Sequence, residues 1–213
     1  MPVSLHYQLQ ALRINISPQF VAKEMAFIDE LLRWNKKINL TAITDRNEVL
    51  EKHLLDSLVL NKFIKEGFRL LDLGSGGGFP GLALAIANPE IRVVSVESVG
   101  KKVNFQKHVK RLLGIDNFEP ISDRIENLIM RGNFKSEFDI ITARAFASLE
   151  VIVEMSEPFL SAHGKIIAMK GPEGDAELAA LGTEKLKNYK DISIESYKLP
   201  LSGSNRRLIV LQK

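Results

Sequence analysis

The hydrophobic pattern of the chain changes period near residue 67. Before that point apolar positions recur at helical spacing; after it, short β-branched runs alternate with helical stretches. Ser17-Pro18 offers a cap followed by a proline at the first helical position. Val21, Met25, Ile28 and Leu32 then fall on one face. The less regular segment Trp34 to Thr41 closes that helix. Asp45-Arg-Asn-Glu48 has capping-box spacing and opens a second helix through Val49, Leu54, Leu55, Leu58 and Val59, which Gly67 should end. The pattern divides the chain into an N-terminal helical extension, residues 1–66, and an α/β domain, residues 67–213.

Strands are expected at 68–73, 91–97, 117–121, 137–143 and 163–169, and helices at 80–88, 99–113, 148–160 and 174–187. Such alternation predicts parallel βαβ units with right-handed crossovers. The end of the chain differs. Ile192 to Leu199, the turn Ser202-Gly203-Ser204, and Arg207 to Leu211 predict an antiparallel hairpin. The expected fold is α/β: a seven-stranded, mostly parallel sheet with an antiparallel last strand. That is the Rossmann-like sheet of class I methyltransferases.

The stretch Leu70-Leu-Asp-Leu-Gly-Ser-Gly-Gly-Gly-Phe-Pro-Gly81 carries the densest chemistry. A strand runs into a glycine turn, where positive φ and close ligand approach are possible. Pro80 suits the first turn of the next helix, whose free N–H groups favour acceptors. Asp72 lies in the strand, and Glu97 ends the next one, placed to take both hydroxyls of a ribose. The plainer alternative for Glu97 is an exposed strand-end charge. The register Gly76-x-Gly78-x-x-Gly81 fits a dinucleotide fingerprint, so an NAD(P)-dependent oxidoreductase is a competing reading. The register Asp72-x-Gly74-x-Gly76-x-Gly78 instead matches the first motif of S-adenosylmethionine (AdoMet) enzymes. The acid at Asp72, the short chain after Glu97 and the closing hairpin favour AdoMet.

Other candidates follow the remaining strands. In Asp123-Arg-Ile-Glu126, Ile125 could cover an adenine face and a polar group such as Glu126 could meet its amino group; a solvated helix start is the equal alternative. Arg144 falls where a methyl acceptor should lie, able to hold a carboxylate or phosphate, with Phe146 able to stack on a base. Pairing of Arg144 with a neighbouring acid is the alternative. Lys101 to Arg111 carries five basic residues and no acid. It is either a solvated helix face or, through residues such as Lys101 and Lys107, a phosphate contact. Arg206 and Arg207 could extend that basic rim. His53 and Asp56 share a helix face and are assigned to a local polar network.

Composition narrows this picture modestly. The 213 residues carry a formal net charge of +3, too small to prove a nucleic-acid partner. There is no cysteine, which excludes disulfides and thiolate metal sites and fits a reducing cytoplasm. With four histidines, no metal site is expected. Neither a signal-peptide pattern nor a membrane-spanning apolar run is expected.

Taken together, these residues resemble the bacterial RsmG (formerly GidB) family, the small-subunit ribosomal RNA guanine-N7 methyltransferases. The resemblance rests on Arg33-Trp-Asn35 with Asn39-Leu-Thr41, His53-x-x-Asp56-Ser57, the glycine stretch, Glu97-Ser-Val-Gly-Lys101, Arg144-Ala-Phe146 and Met169-Lys-Gly171. It implies AdoMet contacts at Gly74, Phe79, Ile125, Glu126 and Arg144, with Glu97 on the ribose. It also implies a guanine of 16S ribosomal RNA, free or in the small subunit, as acceptor. Guanine N7 carries a lone pair and no proton, so no acid or base is assigned; Arg144 is expected to position, and Lys170 and Arg206 to anchor RNA phosphate. A non-catalytic RNA-binding assembly factor is the third reading. Nothing in the chain suggests an obligate dimer, and a cytoplasmic monomer is expected.

Overall fold

A computed structural model describes residues 5–213. Two helices, α1 (Leu5–Ala11) and α2 (Pro18–Asn35), lead into a helical segment whose winding changes three times. It runs as α3 (Arg46–Val49), a π-helical stretch (Leu50–Leu55), α4 (Asp56–Leu58) and a 3-10 turn (Val59–Phe63). The α/β part then reads β1 (Arg69–Leu73), α5 (Gly81–Ala87), β2 (Arg92–Glu97), α6 (Gly100–Leu113), β3 (Phe118–Ser122), α7 (Ile125–Arg131) and β4 (Phe138–Arg144). It continues as α8 (Leu149–Ser156), β5 (Leu160–Lys170), α9 (Gly174–Ala180), α10 (Thr183–Leu186), β6 (Asp191–Lys198) and β7 (Asn205–Gln212).

The sheet order is β3-β2-β1-β4-β5-β7-β6, with β7 antiparallel to both neighbours. An insertion of this kind is foreign to the all-parallel 3-2-1-4-5-6 dinucleotide sheet. Strand residues alternate between two cores. Leu70, Val93, Ile140 and Val210 face α2, α5, α6 and the segment after Arg46. Leu71, Val94, Ile141 and Leu211 face α7 and α8. Burial on both faces is why the central strands read as unbroken apolar runs. The N-terminal helices thus share one core with the sheet.

Several local expectations change. Ser17 precedes α2 but its side chain makes no capping bond, and the deepest stripe of α2 is Glu24, Phe27, Ile28 and Leu31. Asp45 does cap, accepting the Glu48 N–H, while the Glu48 side chain turns to Lys52. The helix expected at 148–160 stops at Ser156, and β5 begins at Leu160, where a register shift pairs it with Phe138. The single helix expected at 174–187 is split by Gly182, whose φ of +77° no α-helix continues through.

Candidate cofactor and nucleic-acid site

The carboxyl ends of β2, β1, β4, β5 and the start of β7 lie side by side in that order. They carry, in turn, Glu97, the glycine turn, Arg144, Lys170 and Arg206. Two cavities open along this edge and share Gly74, Lys102 and Ala145. The first, about 480 Å³, is lined among others by Thr41, His53, Asp56, Phe79, Arg144 and Arg206. The second, about 280 Å³, is lined among others by Glu97, Asp123, Ile125, Glu126 and Phe146.

The glycine turn is tight on one side and open on the other. Gly74 has φ of +68°, and a Cβ there would stand 2.4 Å from the Phe146 ring. Gly76 has φ of +56°, and a Cβ there would meet no atom within 4 Å, leaving open space above the turn. The turn is braced from neighbouring elements. Glu97 accepts the Gly76 N–H at 2.9 Å and the Val99 N–H at 2.8 Å. Gln106, fully buried on α6, donates to Ser75 Oγ at 2.7 Å and to the Gly76 carbonyl at 2.8 Å. Ser95 Oγ donates to Ser75 Oγ at 2.5 Å. Glu97 is therefore a buried, hydrogen-bonded carboxylate at a cavity wall, and the exposed-charge alternative does not hold.

Asp72 corrects an expectation. Its side chain is wholly buried and lines neither cavity; Oδ2 accepts the Gly81 N–H at 2.8 Å, behind the turn. The short helix α5 thus spends that N–H on Asp72 rather than on a ligand. Burial, opposed by Gly81 and Arg144, pushes the Asp72 carboxyl up to about 7. A Cβ on Gly81 would lie 2.7 Å from that carboxylate, so glycine here serves packing. Gly78, with φ of +98°, lies against Leu82 and Phe27 and lines neither cavity. Phe79 is packed in a stack, 4.8 Å from Phe27 and 5.1 Å from His53, at the wall of the first cavity.

Arg144 reaches back to the N-terminal segment. It donates to the Lys52 carbonyl at 2.9 Å and to His53 Nδ1 at 3.1 Å, and lies 3.5 Å from Asp56 Oδ2. The alternative of pairing with an acid is thus realised, yet the residue still lines the first cavity. His53 and Asp56 do form a polar network, but Arg144 is its bridge. Burial and the Arg144 charge push the His53 imidazole down to about 3, so it is neutral. Arg206 (Nε) lies 3.3 Å from Asp56 Oδ1, which also accepts from Tyr197 at 2.7 Å.

The basic residues fall into distinct groups. Lys170 lines the first cavity, but its Nζ is held by the Ala147 carbonyl at 2.6 Å and Glu177 at 2.8 Å. Arg207 bonds Asp175 at 3.1 Å and lines neither cavity. Lys101 and Lys107 are exposed on α6. Sequence reasoning missed Lys102, the α6 cation that lines both cavities. It also missed Gln106; the two are one helical turn apart, the signal that could have found both. No cluster of metal-ligating side chains occurs among the described residues, nor any helix long and apolar enough to cross a membrane.

Comparison with known proteins identifies the fold and the family. A solved SAM-dependent methyltransferase from Aquifex aeolicus has the same fold with a TM-score of 0.54 at 16% identity, covering 78% of this chain and 92% of that one. Aeropyrum pernix fibrillarin, solved with natively bound S-adenosyl-L-methionine, gives 0.54 at 18% identity over 69% of this chain and 67% of its own. Among curated proteins, the ribosomal RNA small subunit methyltransferase G of Syntrophotalea carbinolica is 46% identical over 188 residues, 88% of this chain and 86% of the relative. That of Francisella philomiragia is 39% identical over 213 residues, 100% of this chain and 98% of the relative. The profile of the family described as rRNA small subunit methyltransferase G matches residues 21–209, and the chain belongs to that family.

Proposed function

We propose that this protein methylates N7 of one guanine in 16S ribosomal RNA, as a monomer in the cytoplasm. Family membership makes it an AdoMet-dependent rRNA methyltransferase; the oxidoreductase and assembly-factor readings are not favoured. The observation that carries the finer reading is the pair of cavities joined at Gly74 and Ala145. One has a fixed carboxylate at its wall. The other is lined by cations and opens along the same sheet edge.

The residues fit AdoMet: the open space above Gly76 is a cradle that any side chain would fill. Glu97 would hold the ribose, Ile125 and Glu126 the adenine, and the backbone at Gly74 and Gly76 the centre of the molecule. When bound, AdoMet supplies an electrophilic methyl group on a sulfonium. Guanine N7 presents a lone pair and no proton, so no side chain has to remove one. The work of the chain is positioning, which can account for a large share of a rate enhancement. Arg144 is pinned at the junction by its bonds to Lys52 and His53. Asp56, buried between two guanidinium groups, fixes both of them. Lys101 and Lys107 are the exposed candidate RNA contacts; Lys170, Arg206 and Arg207 would have to leave their acidic partners first.

The test is to incubate purified protein with AdoMet and either free 16S RNA or small subunits from cells lacking the activity, then map 7-methylguanosine by chemical cleavage. One cleaved guanine per RNA is the expected result. Methyl transfer to another atom, or none with bound AdoMet, would overturn it.

A further inference from the structure

The motif Arg33-Trp-Asn35 with Asn39-Leu-Thr41 folds into a clamp beside the first cavity. Asn35 clamps the later residues: its Oδ1 accepts the Leu40 N–H at 2.8 Å and the Thr41 N–H at 3.1 Å, and its Nδ2 donates to the Thr41 carbonyl at 2.9 Å. Thr41 is thereby fixed at the wall of the first cavity.

The direction of its hydroxyl follows from hydrogen-bond bookkeeping. Arg144 can only donate, so His53 Nδ1, 3.1 Å away, must accept. His53 is neutral and carries its proton on Nε2. That N–H donates to Thr41 Oγ1 at 2.7 Å. The Ile43 N–H donates to the same oxygen at 3.1 Å. Both acceptor positions of Oγ1 are filled, so its hydrogen must be donated elsewhere, and no protein acceptor for it occurs among the described residues. Arg144, through His53, leaves Thr41 a hydroxyl donor without a protein acceptor among the described residues, at the wall of the first cavity.

The sheet edge identifies the acceptor. Adjacent strands are about 5 Å apart, so the edge serves as a ruler. The ribose end of AdoMet belongs at Glu97, at the end of β2. Its amino-acid end therefore falls one or two strands along, over the turn after β1 and the end of β4. Thr41 lies there: its neighbour Leu40 is against the turn, with its Cβ and carbonyl each 3.9 Å from where a Gly77 Cβ would stand. The target base is left the region over β5 and β7, beside Met169 and Arg206.

We propose that Thr41 is a cofactor-binding residue whose hydroxyl, aimed by the Arg144–His53 pair, donates to the carboxylate at the amino-acid end of AdoMet. The inference rests on the cofactor reading of the site. Arg144 and His53 then act on the cofactor partly as positioning residues, through Thr41.

The test is calorimetric titration of the RNA-free protein with S-adenosylhomocysteine, which carries that carboxylate, and with 5′-methylthioadenosine, which lacks the amino-acid end. Thr41→Val should weaken S-adenosylhomocysteine about tenfold, the size of a lost bond to a charged group. It should leave methylthioadenosine within about twofold, and Thr41→Ser should restore the first ligand. His53→Phe, which keeps the stack on Phe79, should show the same selective loss. Equal losses on both ligands, or no loss on either, would overturn the proposal. So would an unchanged cofactor Kd with a raised KM for RNA, because the hydroxyl would then face the base. A wild-type protein that binds neither ligand would remove the cofactor reading itself, a result separate from failure of the Thr41 variants to discriminate.

Discussion

Glu97 holds the glycine turn from the neighbouring strand: its Oε2 accepts the Gly76 N–H at 2.9 Å, across 21 residues of sequence. The carboxylate thus has two jobs, shaping the turn and facing the second cavity. Glu97→Ala should lose both. Cofactor binding should fall by more than tenfold, and unfolding free energy by about 1–3 kcal/mol, because two backbone N–H groups lose a charged acceptor. Titration with S-adenosylhomocysteine and urea denaturation read the two effects separately. Glu97→Gln, which keeps one acceptor oxygen, should recover more stability than affinity.

Gly74→Ala tests the other side of the turn. The φ of +68° and the 2.4 Å approach to the Phe146 ring both oppose a Cβ. The variant should be destabilised by more than about 1 kcal/mol and should bind cofactor poorly. Adding Phe146→Ala removes the clash but not the backbone strain. The double variant should therefore regain part of the stability, giving a non-additive cycle in urea midpoints.

Asp72 predicts a pH effect of definite sign. Its carboxyl titrates near 7 in the folded protein and near 3.8 when unfolded. Between those values the folded state holds a proton that the unfolded state has released. This group's contribution to stability is therefore full below about pH 4, is lost as pH rises through 7, and is level above. Buried Glu24, also raised by desolvation, acts in the same direction. Asp72→Asn should gain on the wild type as pH rises from 5 to 8 in denaturation midpoints. A constant difference across that range would mean that Asp72 does not titrate there.

Lys101 and Lys107 are exposed, while Lys170 and Arg207 are tied to acids. Lys101→Ala with Lys107→Ala should raise KM for the RNA substrate, lower the salt slope by one to two, and leave cofactor affinity unchanged. Lys170→Ala should act differently. It leaves the Glu177 carboxylate without its ion-pair partner, so loss of stability should accompany any loss of activity, as thermal melting would show.

Much of the fold was legible in local pattern. Residues 67–213 alternate in period, and the glycine stretch marks the end of the first strand unambiguously. The cavity walls were legible where neighbours in sequence are neighbours in space, as with Gly74, Gly76, Ile125 and Glu126. They were not legible where distant segments converge. Arg144 meets His53 across 91 residues, and no local periodicity encodes that contact. Nor does it encode the π-helical winding from Leu50 to Leu55, which includes His53, or the acids that occupy Lys170 and Arg207. Asp72 was misplaced for a related reason. A strand residue points to one of two faces, and motif spacing alone does not say whether that face is a cavity or the first turn of a helix.

Inserting β7 between β5 and β6 has a consequence for biosynthesis. A ribosome delivers β6 before β7, so β6 emerges with no strand to pair with, and β5 stays an open apolar edge until β7 arrives. At roughly 5–20 residues per second that interval is short, yet it is the stage at which the nascent chain is most exposed to wrong pairing. The strand that closes the sheet also carries Arg206 to the cavity. Each new molecule therefore completes the Arg206 side of its first cavity only after β6 has already emerged.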